Sequence, residues 1–285
     1  MTKRNIGFVS EDEQQRLRAG RVFVCGTGGM GGACLQSLTR AGVGAFDIAD
    51  LDTFEVSNLN RQVFSSIPDL GQPKAEVTAR KLREIHPDVE LAVHGREWLS
   101  QLDTILPRCS VVVNGMDDIA AGIQLYRAAR AHGATVIDAY ASTLPSVFVV
   151  RPGDPRPEER LGYPTVGIAV EQLTAEMLAG CRVAEVEYVL VHSSTAEAID
   201  LGVAGEIVAG KRARISFAPM VITTGNLMAY EAVAALCGRP QGADFRGWFF
   251  NPYRGRIERP RAAPVAALRR MLVRRWLGRM ARAGG

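Results

Sequence analysis

The glycines at 26, 28, 29 and 31, inside "CGTGGMGG", have the spacing of a loop whose backbone can approach phosphates. An apolar run, "RVFVC", precedes them and a stretch of helical periodicity comes after, so the loop reads as a strand-to-helix turn. Free N–H groups and the positive end of the helix would face an anion there. Asp50 closes a second apolar run, "AFDIAD", 19 residues after Gly31, near the spacing at which an acid meets a ribose hydroxyl. That much suits NAD and ATP equally. Two cations separate the alternatives. Arg61 and Lys74 come within 24 residues of Asp50, each on a segment leaving the carboxyl edge of the predicted sheet. Hydride transfer has no use for such cations. Cleavage of ATP does, because one can stabilise charge on the leaving phosphates and the other can hold them. Asp117, just past "VVVNG", reaches the same rim and suits magnesium, with Asp118 doubling the negative charge. Taken singly, each has a plain alternative: two solvated cations, and two acids in a turn.

These residues need a frame that brings them to one edge. Strands are expected at 21–26, 45–50, 89–93 and 110–115 and in "TVIDAY", with helices at about 31–42, 73–85 and 119–132. This alternation predicts an α/β fold: a Rossmann-like, mostly parallel sheet with helices on both faces. Residues 1–150 form the nucleotide-binding half. The proline-rich "RPGDPRPEERLGYP" reads as an exposed connector opening a second part, 151–253, of the same domain. Within it helices are expected around 170–180 and 184–191, and a long apolar helix at 216–238 behind Pro219 and stopped by Gly238. "GWFFNPYRGRIE" suggests a hairpin.

Composition narrows the classes. With 285 residues, 47% of them hydrophobic, the chain can bury a sizeable core. No window is expected to supply a membrane span, and the first 20 residues show no signal-peptide core. The five cysteines are scattered without a CxxC pair, which points to reduced thiols in a cytoplasm and to no four-thiolate zinc site. The four histidines, in no ligand-like spacing, read as structural or surface residues. The net charge of +4 divides unevenly: residues 254–285 hold ten arginines and one acid, which leaves −5 on the rest. A globally basic nucleic-acid binder is therefore not expected.

The segments "RNIGFVSEDEQQRLRAGRVFVCGTGGMGG", "DLDTFEVSNLNRQVF", "LGQPKAEVTARKLREIHPDVEL" and "VVVNGMDD" resemble the ubiquitin-activating-enzyme-like adenylyltransferases, the ThiF/HesA/MoeB superfamily. The likeness runs from about residue 4 to 140 and resumes at "APMVITTGNLMAYEAVAALCG". It implies ATP and magnesium as cofactors, a homodimer, and the C-terminal carboxylate of a small carrier protein or peptide as substrate. It places Gly29 on the nucleotide and Asp50, with Asp52 nearby, at the ribose. Ser57, Asn58 and Arg61 would surround the phosphates, Arg61 reaching across from the other subunit. Lys74 would bind phosphate, and Asp117 with Asp118 would manage the metal. Small-molecule adenylation, as in a dehydratase, and a catalytically impaired ATP-binding scaffold are the competing readings.

The departures are specific. The zinc CxxC pairs of many relatives are missing, Asp117-Asp118 replaces Asp-Asn, and Gly122 stands where an arginine is common. "AGKRARISFAP", where several relatives carry a reactive cysteine, has none. Cys181, between Gly180 and Arg182, is the remaining thiol candidate, with a small residue at a helix end as the preferred alternative. In the tail, Val265, Leu268, Leu272, Trp276 and Met280 recur at helical spacing among arginines that include Arg269, Arg274, Arg275, Arg279 and Arg282. This basic amphipathic helix is expected to pack its apolar stripe on the body or on a dimer mate. An acidic partner and a membrane surface are lesser options. The terminal Ala283-Gly284-Gly285 reads as a short flexible end.

Overall fold

A computed structural model describes residues 1–208, 211–212 and 215–284, without the side chains of Leu201, Val208 and 280–284. Met280, Arg282 and the terminal Ala-Gly-Gly therefore fall outside the described side chains. The strands are β1 (Arg21–Cys25), β2 (Ala45–Ala49), β3 (Glu90–His94), β4 (Val111–Asn114), β5 (Thr135–Asp138), β6 (Ser146–Val150), β7 (Trp248–Asn251) and β8 (Arg256–Glu258). They form one sheet in the order β3-β2-β1-β4-β5-β6-β7-β8. The first five run parallel and the last three join antiparallel. The α-helices are α1 (Glu11–Ala19), α2 (Gly29–Ala41), α3 (Lys74–Ile85), α4 (Leu102–Ile105), α5 (Ile119–Ala131), α6 (Pro157–Arg160), α7 (Ala175–His192), α8 (Leu201–Val208), α9 (Ala218–Cys237) and α10 (Ala263–Gly284).

Alternation along the strands builds two cores. Val22, Val24, Phe46 and Ile48 meet Leu35 and Leu38 of α2, Val77 and Leu82 of α3, and Met228 and Ala232 of α9. Phe23, Cys25 and Ala49 point the other way, toward α4, Leu125 and Tyr126 of α5, and Val189 of α7. Helices on both faces are thus what the period-two pattern of the buried strands requires. Asp47 interrupts that pattern. It is wholly buried, and Arg21, His94 and Arg108 surround its carboxylate at 3.0, 2.7 and 2.6 Å.

Several expectations change. β6 was not anticipated: "SVFVV" comes after the fifth strand and a short loop and returns antiparallel, a run too short to distinguish from loop by pattern. The proline-rich connector is not wholly exposed. Pro157 and Glu158 are buried in α6, and Glu158 receives both Nε and Nη2 of Arg127, at 3.1 and 2.5 Å. The two helices expected between 170 and 191 are one, α7, capped by Thr174. β8 begins the arginine-rich segment yet pairs with β7 as the expected hairpin.

Against the composition reading, α9 is long and apolar enough to cross a membrane. It is instead a core helix lying along α2. At their crossing a Cβ on Gly225 would stand 2.5 Å from the carbonyl oxygen of Met30 and 2.6 Å from Ala33 Cβ. α10 does pack on the body, but by another face than the one foreseen. Ala266 is buried against it, while Val265, Leu268 and Leu272 stay exposed.

Replacing Gly225 by valine should lower stability by about 1–3 kcal/mol through overpacking against backbone. A thermal melt checks this, with Gly153→Ala, at a site with nothing within 4 Å, expected to be neutral.

Candidate functional site

The sheet order reverses between β1 and β4, so the carboxyl ends of these strands leave a crevice, the place where such sheets bind ligands. Glycines close the approach to it. Gly26 leaves β1 with φ +84, and a Cβ there would lie 2.6 Å from the carbonyl carbon of Gly115. A Cβ on Gly31 would lie 1.9 Å from the oxygen of Gly26. Gly28 is the N-cap of α2 and makes no side-chain cap hydrogen bond, so no N-cap side chain competes for the first-turn N–H groups at the positive end of α2. Val221 of α9 stands over Gly29, its Cγ1 2.5 Å from a Cβ built there.

Asp50 at the end of β2 holds this loop. Its Oδ2 accepts from the backbone N–H of Thr27 at 2.7 Å and from the Thr27 hydroxyl at 3.1 Å, and its Oδ1 from the N–H of Asp52 at 3.0 Å. A carboxylate offers about four lone-pair positions, so it retains capacity for a ribose hydroxyl. Lys74, first residue of α3, is only 6% exposed, and its Nζ donates to Asp52 Oδ2 at 2.9 Å. The antiparallel bridge between Thr53 and Pro73 brings the two together across 22 residues of chain.

The intervening block forms a tight turn. Asn58 is buried and its Oδ1 accepts from the N–H of Glu55 at 3.1 Å, while its amide points at Ser57 Oγ, 3.4 Å away. Arg61 lies over the loop, its Cγ 3.8 Å from a Cβ built on Gly29. Its guanidinium folds back onto the Ser57 carbonyl at 2.8 Å and Asn60 Oδ1 at 2.9 Å. Asp117 and Asp118 are exposed, two and three residues past Gly115. Asp118 caps α5, its Oδ1 accepting from the N–H of Ala121 at 3.1 Å, so one of its oxygens is engaged within the chain. Among the described residues no group of three or more His, Cys, Asp or Glu side chains is placed to hold a metal ion. A magnesium ion at Asp117 would draw its remaining ligands from phosphate oxygens and water, which is usual for that ion.

Residues outside the expected set complete the crevice. Gln62 is 7% exposed, its Oε1 has no hydrogen-bond partner, and its Nε2 sits 3.4 Å from a Cβ built on Gly28. A buried amide left open against a glycine cradle fits a polar ligand held there. Its position directly after Arg61 was the available signal. Behind the crevice, Asn114 Nδ2 and the Tyr126 hydroxyl both donate to Asp138 Oδ2 at 2.8 Å. Burial pushes the Asp138 carboxyl up to about 7 and the Tyr126 hydroxyl higher than usual. Two apolar-looking strands and a helix supply this network, so no local pattern announced it.

Cys181 lies inside α7, fully buried beside Ile123 and Tyr163. Burial pushes its thiol above the ordinary range, the opposite of an activated nucleophile. It is also not at a helix end, because the helix break expected near it does not exist.

A family model described as "ThiF family" matches residues 2–267 and ends inside α10. Over 134 residues the chain is 32% identical to the sulfur carrier protein ThiS adenylyltransferase of Escherichia coli, covering 47% of this chain and 53% of that protein. Over 148 residues it is 31% identical to tRNA threonylcarbamoyladenosine dehydratase 2 of Saccharomyces cerevisiae, covering 50% and 33%. The chain spans about half the length of the first curated relatives it matches. The crystal structure of E. coli MccB with ATP shares the fold, with TM-score 0.62 and 18% identity over 87% of this chain and 65% of that one.

The Asp138 carboxyl sets a pH dependence. Its folded pKa, about 7, exceeds the ordinary 3.8, so the folded chain holds the proton more tightly. The associated stability is present in acid and lost as pH rises from about 4 through 7, by at most about 1.4 kcal/mol per pH unit. Denaturant unfolding of Asp138→Asn against the native chain at pH 5 and pH 8 checks this. The variant should gain relative stability at pH 8.

Proposed function

The chain belongs to the ThiF family, and from that premise we propose that it is an ATP-dependent adenylyltransferase. In this reading it converts the C-terminal carboxylate of a small carrier protein or peptide into an acyl adenylate. A carboxylate oxygen attacks the α-phosphorus, the bond to the bridging oxygen breaks, and pyrophosphate leaves carrying the charge. Such a displacement needs positioning and charge neutralisation rather than a protein nucleophile.

The observation that carries the reading is the setting of Lys74. A buried cation is tethered 2.9 Å from Asp52, whose N–H donates to the loop-holding Asp50 at 3.0 Å, so two carboxylates link Lys74 to the glycine loop. Lys74 would receive the β- and γ-phosphates, the α2 N–H groups would meet the phosphate chain, and Asp50 the ribose. Arg61 would swing from its own turn to the leaving group of the same subunit or of a partner. Asp117 would hold magnesium, whose chemistry is to neutralise phosphate charge. A homodimer is supported by the exposure of Phe8, Val56 and Ile67 at 86%, 71% and 76%. Five free cysteines support a reducing, cytoplasmic setting. All five are buried, which favours transfer from the adenylate directly over an enzyme-bound thioester.

The likeness to the yeast dehydratase supports a second reading, activation of a small-molecule carboxylate at the same crevice. Pyrophosphate–ATP exchange with candidate carboxylates distinguishes the two by which acid supports it. Lys74→Ala and Asp117→Ala should each lower that exchange about 10²-fold or more. ATP binding without exchange for any carboxylate would overturn both readings in favour of a scaffold.

A further inference from the structure

The last helix, α10, divides its surface between two tasks. One side is fastened to α7. Ala266 is buried there, and Arg269 donates to the carbonyl oxygens of Leu190 and Ser193 at 2.8 and 3.1 Å, where the carbonyl end of α7 attracts a cation. Arg270 and Arg274 pair with Glu187 at 3.1 and 2.7 Å. The other side carries Val265, Leu268, Met271 and Leu272, exposed to 49, 59, 44 and 54%. At 3.6 residues per turn these fall in one sector with Arg275 and Arg279, both exposed and without an ion-pair partner among the described residues. Trp276 is half-buried at its edge. No acid occurs after Glu258.

This surface is apolar, cationic and rigidly presented. The exposed members are aliphatic or methionine, whereas protein–protein anchors are typically tyrosine, tryptophan and arginine seated in pockets. Aliphatic side chains in line with arginines, bordered by a tryptophan, match a helix that lies in a bilayer interface. We propose that α10 is a docking element for an anionic lipid surface. Val265, Leu268, Met271 and Leu272 enter the acyl boundary, and Arg275 and Arg279 reach headgroup phosphates. Because α7 already holds the helix by its other face, binding requires no refolding and fixes the orientation of the body on the bilayer. Most of this helix lies beyond residue 267, where the shared family segment ends, and the inference is independent of the nucleotide chemistry.

Co-sedimentation of the full chain tests it, using vesicles of phosphatidylcholine alone and of phosphatidylcholine with one third phosphatidylglycerol. Binding to the anionic vesicles should be about tenfold tighter or more, and should weaken as salt is raised, since cation–headgroup attraction is screened. Leu268→Glu with Leu272→Glu should reduce binding about tenfold or more, and Arg275→Glu with Arg279→Glu should abolish the preference for anionic lipid. Circular dichroism should show both variants folded, because the altered positions are exposed. Absence of sedimentation, or equal binding by the leucine variant, would overturn the proposal. So would a lipid-free dimer lost in Leu268→Glu, which assigns the face to a second copy. Equally tight binding to soluble polyglutamate, unaffected by the leucine changes, would assign it to an acidic polypeptide and overturn it too.

Discussion

The close approach of three backbone segments, at Gly26, Gly31 and Gly115, is the constraint on which the site depends. A side chain at any of the three would collide with backbone at 1.9–2.6 Å. Only glycine therefore lets the start of α2 settle between the ends of β1 and β4. That placement puts the positive end of a 13-residue helix at the point where the strand order reverses. Asp50 completes it by holding Thr27 from the end of the neighbouring strand. The loop is thus fixed before any ligand arrives, and the ordering cost that a flexible loop would add to binding is reduced.

Charge is arranged around that loop in pairs. Lys74 is buried and would be costly to leave alone, so Asp52 neutralises it from an exposed position. An anion with more negative charge than one carboxylate can compete for that lysine, as a triphosphate would. Deeper in the sheet, Asp47 is surrounded by two arginines and a histidine. Asp138, by contrast, has hydrogen-bond donors without a neighbouring ion pair, and burial raises its carboxyl. The same residue type therefore serves as loop holder, counter-ion and buried acid with a raised carboxyl according to what faces it.

The sheet's first five strands, their helices and the glycine loop beside Asp50 were legible because periodicity and glycine spacing are local signals. The resemblance to a known family added roles that spacing alone leaves open. β6 was missed because four apolar residues in a row, close to another strand, carry no period of their own. α7 was divided in two because Gly180 reads as a break, while the structure places it beside Pro164 inside a continuous helix. Gln62 and the Asn114–Tyr126–Asp138 network depend on contacts between residues distant in sequence. The side by which α10 meets the body differs from the expected one for a related reason: arginines reach the carbonyl end of α7 and Glu187 where apolar residues were expected to pack.

The central claim is that the crevice over Gly28 and Gly29 receives a triphosphate that displaces Asp52 from Lys74. A crystal structure with a non-hydrolysable ATP analogue and magnesium tests it most directly. The account predicts phosphate oxygens within hydrogen-bond distance of the first-turn N–H groups of α2 and of Lys74 Nζ, with the ribose at Asp50. A nucleotide bound elsewhere, with the Lys74–Asp52 pair intact, would contradict it.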